Sequence, residues 1–414
     1  LIKYHPIYSS LFVKNLQKFM ARMQPDSLAV FNSNDIYPIS ADSTMPFQQH
    51  RDIFYLSGVD QEESILLLFP EATDPKHREV LFLRETNEHI AVWEGEKLTK
   101  ERAFAVSGIK TVYWLKDFDK VFFDLMTEVD TIYFNTNEHY RQAVETETRE
   151  ARFIKACKEK FPAHQTAKSN PILQEIRGVK EPEEIDLMRT ACDITEKGFK
   201  RVLKFIKPGV MEYEIEAEYI HEFIRNRSDG FAYTPIIGSG YNACVLHYIT
   251  NDEELRDGDL LLIDAGAELD GYASDITRTF PINGRFSPQQ RALFDVVLEA
   301  QLKSIDQVRS GKQWKDVHDT AVRAATEGMV ELGILEGAVD DLIESEDYKR
   351  FYVHNTGHWL GLDVHDVGEY TIDGHSRELE PGMVFTIEPM INLGRRETRL
   401  LRDGWTVKTR DRSL

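Results

Sequence analysis

Two aspartates, Asp264 and Asp275, lie on either side of a turn in the segment LLLIDAGAELDGYASDITRTF. The flanking runs are typical of β-strands, and the Asp270-Gly271 pair between them predicts a hairpin. A hairpin centred near residues 269–270 places the two carboxyl groups opposite each other, with Cβ atoms about 5 Å apart. Carboxylates so close repel each other unless one is protonated or a cation lies between them. We favour a metal ion, since Asp is rarely buried without a partner; a turn residue and a surface charge are the alternative.

The segment VHNTGHWLGLDVHDVG holds His354, His358 and His365 among glycines that let a backbone approach a ligand closely. A lone His is usually a packed core residue, but three so close together favour a functional site. One neutral imidazole could complete a carboxylate site, and the others could donate protons or hydrogen bonds to a substrate. His247, just before the hairpin, can share the same cleft. Glu388 closes the strand-like run LEPGMVFTIEPMI, as a ligand, a proton acceptor or a surface residue at a strand end.

Asp264, Asp275, His358 and Glu388 together form an oxygen-rich donor set with one imidazole and no thiolate. Such a set argues against a structural zinc site and favours Mn²⁺, Co²⁺ or catalytic Zn²⁺. Three carboxylates would over-neutralise a single divalent ion, so we expect two ions. A two-metal site lowers the pKa of a bridging water to near neutral and polarises a carbonyl or phosphoryl oxygen.

The elements that must hold these residues begin with SSLFVKNLQKFMARM, whose apolar residues recur at helical spacing. Short apolar runs bounded by turn residues follow, and each predicts a strand: SLAVF, DIFYLSGV, SILLLFP, EVLFL, TVYWL and TIYF. A helix over 118–126 connects two of these runs. This pattern predicts an N-terminal α/β domain over residues 1–170.

The proline-containing stretch PAHQTAKSNPILQEIRGVKEPEE is the expected domain boundary. An apolar stripe from Ile185 to Ile206 then predicts an amphipathic helix, with acidic residues in its first turn where the helix dipole favours them. Helices over about 211–227 and 287–310 alternate with strand hairpins, which is an α+β layout. We expect a second, catalytic domain over residues 176–414.

The chain has 414 residues, which is long enough for two domains. Its formal charge of −20 argues against nucleic acid as a partner, because phosphate binding needs a cationic surface. The longest apolar run near the start, SILLLF, is too short to cross a bilayer, and no secretory leader is visible. The three cysteines have no CxxC spacing. These features predict a cytoplasmic protein that binds neither nucleic acid nor a membrane.

Three segments closely resemble the creatinase/methionine-aminopeptidase family of pita-bread metallopeptidases: LLIDAGAELDGYASDITRTFPINGRFSPQQR, HNTGHWLGLDVHDVG and PGMVFTIEP. Within the family, the chain is most similar to the bacterial aminopeptidase P (Xaa-Pro aminopeptidase) branch. The resemblance extends to FQQHRDIFYLSGVDQEESILLLFP and VKEPEEIDLMRTACDIT, and so covers the chain to about residue 389. It implies a pita-bread catalytic domain behind a creatinase-like α/β domain. The implied activity is release of an N-terminal residue that precedes proline.

The resemblance also implies a role for each metal-site residue. Asp264 would bind one metal ion, Asp275 would bridge both, and His358 would bind the second. Glu388 would be both a ligand and the group that passes a proton to the leaving proline nitrogen. The implied cofactors are two divalent ions, with Mn²⁺ favoured and Co²⁺ or Zn²⁺ as alternatives.

Further residues carry implied roles in substrate binding. His247 and His365 would position the scissile carbonyl and stabilise its oxyanion, and His354 would lie beside the substrate pocket. Trp93, in AVWEG, matches a tryptophan that reaches a neighbouring subunit's active site in the bacterial enzymes. The implied assembly is therefore a homodimer or homotetramer.

The final segment, MINLGRRETRLLRDGWTVKTRDRSL, resembles type I methionine aminopeptidases instead. Members of the family use a fifth ligand, a Glu on the last strand of the sheet. Glu397 lies in a charged, loop-like stretch and is a poor substitute. We therefore expect a truncated or composite chain that lacks this strand, holds one metal ion well and the other weakly, and has reduced activity.

Three alternatives remain open from the sequence. Prolidases, which prefer dipeptides, have similar ligands. Methionine aminopeptidase activity is supported only by the final segment, and the large N-terminal domain argues against it. An inactive, metal-poor binding scaffold would explain the absent fifth Glu, but the retained acids and histidines argue against it.

Overall fold

The computed structural model describes residues 7–136, 138 and 145–393, and the backbone of 398–400 and 407–409. Contacts between residues divide the chain into two units, Leu1–Arg177 and Gly178–Leu414. Within the described residues, no helix combines the length and apolar content needed to cross a membrane.

The first unit is built from helices, a mixed six-stranded sheet and a separate pair of short strands. Its helices are α1 Ser9–Met20, α2 Arg51–Ser57, α3 Glu88–Glu94, α4 Lys100–Ser107, α5 Phe118–Met126, α6 Arg149–Lys160 and α7 Asn170–Gly178. Its strands are β1 Ser27–Asn32, β2 Pro38–Ser40, β3 Ser43–Thr44, β4 Ile65–Leu68, β5 Glu79–Leu83, β6 Thr111–Trp114, β7 Thr131–Phe134 and β8 Gln165–Lys168. The main sheet has the order β6-β5-β4-β1-β7-β8.

The central strands of this sheet are buried on both faces, which explains why they read as continuous apolar runs. On one face, Phe19 of α1 packs edge-on against Phe31 of β1, with ring centroids 5.2 Å apart. On the other face, Phe118 of α5 packs edge-on against Phe82 of β5 at 5.1 Å. Strands form at five of the six predicted runs, and α5 has the predicted bounds.

The sixth run, DIFYLSGV, is not a strand, and that prediction is wrong. It forms helix α2, Arg51–Ser57, which begins after His50 and ends at Gly58 in the left-handed region, with φ of 66°. Ile53 and Leu56, three residues apart, are both fully buried. The aromatic and β-branched residues favour a strand locally, but packing of the apolar helix face overrides that preference.

The second unit contains the following elements. Its helices are α8 Pro182–Val202, α9 Glu212–Arg225, α10 Pro288–Ile305, α11 Trp314–Glu331 and α12 Val339–Glu344. Its strands are β9 Gly230–Phe231, β10 Ile236–Ser239, β11 Leu260–Ala265, β12 Ala267–Leu269, β13 Tyr272–Ala273, β14 Ile276–Pro281, β15 Thr371–Ile372, β16 His375–Ser376, β17 Thr398–Leu400 and β18 Val407–Thr409. Strands pair in the orders β10-β11-β14 and β13-β12-β9.

The hairpin that carries the two aspartates forms, but with a register two residues away from the prediction. Asp264 lies opposite Thr277, not opposite Asp275. The turn residues are Asp270 and Gly271, both with positive φ (50° and 82°), as a two-residue hairpin turn requires. Because side chains alternate between faces with a period of two, a shift of two residues keeps both aspartates on the same face.

Candidate metal centre

The first half of the site is the end of the β11–β14 hairpin. Asp264 is in β11, and Asp275 comes immediately before β14. The two arms approach closely here: a Cβ on Gly266 would lie 1.7 Å from the carbonyl oxygen of Ser274. Only a glycine permits this approach, which brings the two carboxyl groups to one place as diagonal neighbours.

Tyr233, between β9 and β10, joins these two carboxyl groups. Its hydroxyl contacts Asp264 Oδ1 in a very short hydrogen bond and lies 3.1 Å from Asp275 Oδ1. Burial and the nearby aspartates raise the pKa of Tyr233 well above its ordinary value, so the phenol stays neutral. Burial and the charges of Asp275 and Glu388 raise the pKa of Asp264 to about 7. The acids therefore repel one another strongly enough to favour a cation between them.

The second half of the site is a pair of extended segments, 356–360 and 384–388. Thr386 N–H donates to the His358 carbonyl at 2.9 Å, and Glu388 N–H donates to the Thr356 carbonyl at 2.7 Å. Gly357 permits the approach, because a Cβ there would lie 1.9 Å from the Thr386 carbonyl oxygen. The predicted strand-like run ending at Glu388 is thus extended, and its pairing places Glu388 beside His358.

His358 links the two halves. Its Nε2 atom lies 3.2 Å from Asp275 Oδ2 and 3.2 Å from Glu388 Oε1. Its Nδ1 atom lies 3.0 Å from the Trp359 carbonyl oxygen, which orients the ring with Nε2 toward the carboxylates. Burial opposes a charge on the ring, but the hydrogen bonds to Asp275 and Glu388 prevail and raise the pKa of His358 to about 10. Burial likewise opposes the charge on Glu388, yet His358 holds the Glu388 pKa below its usual value.

Thr386 fixes the two ligand-bearing segments relative to each other. Its hydroxyl donates to Glu388 Oε1 at 2.8 Å and accepts from the His358 N–H at 3.0 Å. One buried hydroxyl therefore orients the carboxylate of Glu388 and the backbone of His358 together. Support of this kind around metal ligands typically changes metal affinity or activity by about 10–100-fold.

The remaining predicted residues are placed in different surroundings. The ring of His365 packs edge-on against that of His358, with centroids 4.2 Å apart. His354 is close enough for its charge to lower the pKa of Glu388 further, and its ring meets Tyr352 at 6.0 Å. His247 is exposed, and among the described residues no hydrogen bond or ring contact joins it to this cluster. Trp93, in α3 of the first unit, is 78% exposed.

Asp264, Asp275, His358 and Glu388 are therefore brought into one cluster, through direct contacts and through Tyr233. Across the described residues, no three His, Cys, Asp or Glu side chains are already arranged so that they could hold a metal ion. Instead, the His358 ring contacts the carboxylates of Asp275 and Glu388, and the Asp264 carboxylate accepts a hydrogen bond from Tyr233. Their chemistry still fits divalent cations, because three acids converge with one imidazole and Asp264 is largely buried. Glu397, the weak candidate for a fifth ligand, lies outside the described residues.

Tyr233 carries no sequence pattern that predicts its role, and Thr386 carries only a weak one. Tyr233 lies in FAYTPIIGSG, far from either aspartate along the chain, and its position depends on the pairing of β10 with β11. Thr386 alternates with Glu388 along an extended segment, so their side chains share a face. That alternation is the only sequence signal for Thr386, and it appears only once Glu388 is taken as a ligand.

The fold and the cluster define a metallopeptidase, and comparisons with known proteins agree. A family model described as metallopeptidase family M24 matches residues 186–411, and one for the aminopeptidase P N-terminal domain matches residues 12–133. The chain belongs to metallopeptidase family M24. The predicted fold class, an α/β N-terminal domain followed by a pita-bread catalytic domain, is thereby confirmed.

Several Xaa-Pro aminopeptidases are similar to the chain. The chain is 38% identical over 379 residues to the Xaa-Pro aminopeptidase of Escherichia coli, covering 91% of this chain and 86% of that protein. It is 29% identical to human Xaa-Pro aminopeptidase 3 over 371 residues, 88% of this chain and 71% of the relative. The solved structure of Pseudomonas aeruginosa aminopeptidase PepP superposes with a TM-score of 0.85 at 36% identity, covering 94% of this chain and 88% of that one. The resemblance inferred from the sequence motifs is confirmed.

Proposed function

We propose that the chain is an Xaa-Pro aminopeptidase, which hydrolyses the bond between an N-terminal residue and a following proline with the help of two divalent metal ions. The observation that carries the proposal is the convergence of Asp264, Asp275, His358 and Glu388 at one place. The 38% identity to the E. coli enzyme, over most of both chains, supports the choice of substrate. We favour Mn²⁺ over Co²⁺ or Zn²⁺, because most of the donors are carboxylates.

In this proposal the four clustered residues hold the ions, which polarise the scissile carbonyl and activate water when bound. The Glu388 carboxylate accepts a proton from the attacking water, and its lowered pKa keeps it ionised for that step. The same carboxyl group then delivers the proton to the proline nitrogen as the peptide bond breaks. A free substrate α-amine is attracted to the acidic cluster, which accounts for removal of a single N-terminal residue.

The imidazoles act on the substrate carbonyl. His365, held against His358, donates a hydrogen bond to the oxygen on which negative charge develops. His247 assists at the same oxygen once a peptide is bound, and its exposed position suits a residue that meets the substrate. His354 lies at the edge of the pocket, near Glu388.

The finer features of the proposal rest on family resemblance. We propose that Trp93 reaches the active site of a second subunit in a homodimer or homotetramer. This role requires an indole that a second subunit can contact, and Trp93 is 78% exposed. We further propose a cytoplasmic location and no nucleic-acid or membrane partner.

Peptide hydrolysis by the purified chain tests the main proposal. With Mn²⁺ present, we expect release of Arg from Arg-Pro-Pro, little hydrolysis of Gly-Pro and none of Met-Ala-Ser. A preference for Gly-Pro would show a prolidase, a preference for Met-Ala-Ser a methionine aminopeptidase, and no hydrolysis with weak metal binding a scaffold. Asp275→Asn should abolish activity, whereas Asp306→Asn, exposed at the end of α10, should not change it.

A further inference from the structure

A buried ion pair lies next to the site but takes no part in the proposed chemistry. Lys180 Nζ donates to Asp366 Oδ2 at 2.9 Å, and both side chains are 1% exposed. Burying two charges costs several kcal/mol per ion, and the pair often does no better than apolar side chains of the same volume. Stability alone therefore does not explain a pair at this position.

Lys180 is held firmly from its own side. Its backbone N–H donates to the Gly382 carbonyl at 2.8 Å, which ties it to the start of the segment leading to Glu388. The next residue, Glu181, caps helix α8 and forms a reciprocal capping box with Glu184. The lysine thus projects from a fixed point at the beginning of a long helix.

Asp366 closes the loop on the other side. Its N–H donates to the Trp359 carbonyl at 3.0 Å, so the loop 359–366 folds back on itself. The loop wraps tightly around the carboxylate: a Cβ on Gly361 would lie 2.1 Å from Asp366 Oδ2 and 3.0 Å from Lys180 Cε. The Gly361 carbonyl also accepts from the N–H of Ala273 in β13 at 2.9 Å.

This loop carries the His365 imidazole and begins directly after His358. His365 directly precedes Asp366. The two rings meet edge-on at a centroid distance of 4.2 Å and an interplanar angle of 85°. A displacement of Asp366 would therefore be passed on to His365 through one peptide unit, and to His358 through the ring contact.

We propose that the Lys180–Asp366 ion pair positions the loop so that His365 and His358 point into the metal centre. Lys180 and Asp366 are positioning residues, since neither touches the reacting atoms. A charged hydrogen bond fixes direction as well as distance, whereas an apolar contact of equal volume would let the loop slide. The consequence for catalysis rests on the proposed peptidase function; the consequence for metal binding does not.

The test compares four variants with wild type: Lys180→Met, Asp366→Leu, the double Lys180→Met/Asp366→Leu, and Asp366→Asn. Each single change to an apolar residue removes one charge of the buried pair and should lower the urea midpoint. The double variant removes both charges, so its urea midpoint should return most of the way to the wild-type value. We nevertheless expect its Mn²⁺ affinity and its kcat on Arg-Pro-Pro to stay about tenfold or more below wild type, with KM changed less than kcat.

A matched control is available in the first unit. Arg177 donates to Asp52 at 2.7 Å and is 2% exposed. Arg177→Met should lower the urea midpoint without changing the kcat or Mn²⁺ affinity of the folded protein. A double variant at Lys180 and Asp366 with wild-type Mn²⁺ affinity and kcat would overturn the proposal and leave the pair a structural one.

Asp366→Asn decides the question if the double variant does not fold. It keeps the side chain's shape and one hydrogen bond from Lys180. We expect a loss of about tenfold in Mn²⁺ affinity, and a value within twofold of wild type would overturn the proposal. If wild type does not cleave Arg-Pro-Pro, the peptidase assignment fails, while the Mn²⁺ affinities of the same variants still test the ion pair.

Discussion

Thr386→Val should weaken metal binding without unfolding the protein. Valine has nearly the shape of threonine but lacks the hydroxyl that donates to Glu388 Oε1 at 2.8 Å and accepts from the His358 N–H at 3.0 Å. A hydrogen bond to an ionised group contributes about 1.5–3 kcal/mol. Without the hydroxyl the Glu388 carboxylate is free to rotate, and ordering it costs part of this energy when a metal ion binds.

The expected effect follows from that energy. Each 1.4 kcal/mol is about tenfold in affinity, so the variant should bind Mn²⁺ about 10–100-fold more weakly. The second lost bond comes from the His358 backbone N–H, a group that binds no metal ion. Its loss should appear in the free energy of unfolding, at about 1–3 kcal/mol for an unsatisfied buried N–H. The two effects are therefore measured separately.

Isothermal titration with Mn²⁺ gives the affinity, and urea denaturation gives the free energy of unfolding. Thr326→Val is the matched control, because Thr326 is fully buried and, among the described residues, its hydroxyl bonds only to the Val322 carbonyl within α11. The control should change stability but not Mn²⁺ affinity. If Thr386→Val binds Mn²⁺ within twofold of wild type, the hydroxyl does not organise the ligands.

Three further changes have definite expectations. Burial raises the pKa of Glu150 to about 8, so the folded state keeps a proton that the unfolded state releases near pH 4.5. This group lowers stability as the pH rises from 4.5 to 8, and Glu150→Gln should make the fall in the free energy of unfolding shallower in urea titrations. Glu212 accepts four hydrogen bonds, among them the Glu253 N–H; Glu212→Gln leaves donors facing its amide and should lower the free energy of unfolding by about 1–3 kcal/mol. Gly357→Ala would place a Cβ 1.9 Å from the Thr386 carbonyl oxygen, and it should reduce both stability and Mn²⁺ affinity by forcing the paired segments apart.

Each of these expectations has a contrary result. A Glu150→Gln variant whose stability falls as steeply as that of wild type between pH 4.5 and 8 would assign the slope to other groups. A Glu212→Gln variant within about 0.5 kcal/mol of wild type would show that the four bonds are replaced by water. A Gly357→Ala variant with wild-type Mn²⁺ affinity would show that the paired segments do not set the distance between His358 and Glu388.

Local patterns predicted the first unit well where the chain is strongly apolar. The runs that became β1 and β4 are buried on both faces, so their composition alone identifies them. The run that became α2 contains equally strand-like residues, yet it ends at Gly58 in the left-handed conformation, as helices often do. Helix and strand cannot be distinguished by composition in so short a run, and the terminal glycine was the better signal.

The identity of the clustered site residues followed from residue chemistry, but their geometry did not. Asp264 and Asp275 come together despite a register two residues from the predicted one, because the even shift preserves the face. The contact between His358 and Glu388 depends on the pairing of two segments that are mostly irregular. No periodicity of apolar residues along the sequence predicts that pairing. Tyr233 was not predicted because a phenol between two acids is visible only in three dimensions.

The cluster spans the chain from Tyr233 to Glu388, and this distance affects how the protein folds during synthesis. Contacts between distant parts of a chain form later than local ones, since loop closure must precede them. The first unit and the β11–β14 hairpin can order before the segment with Glu388 has been synthesised. Until then Tyr233 is the cluster residue available to bind the two aspartates. A nascent chain therefore lacks the complete cluster and cannot cleave other peptides.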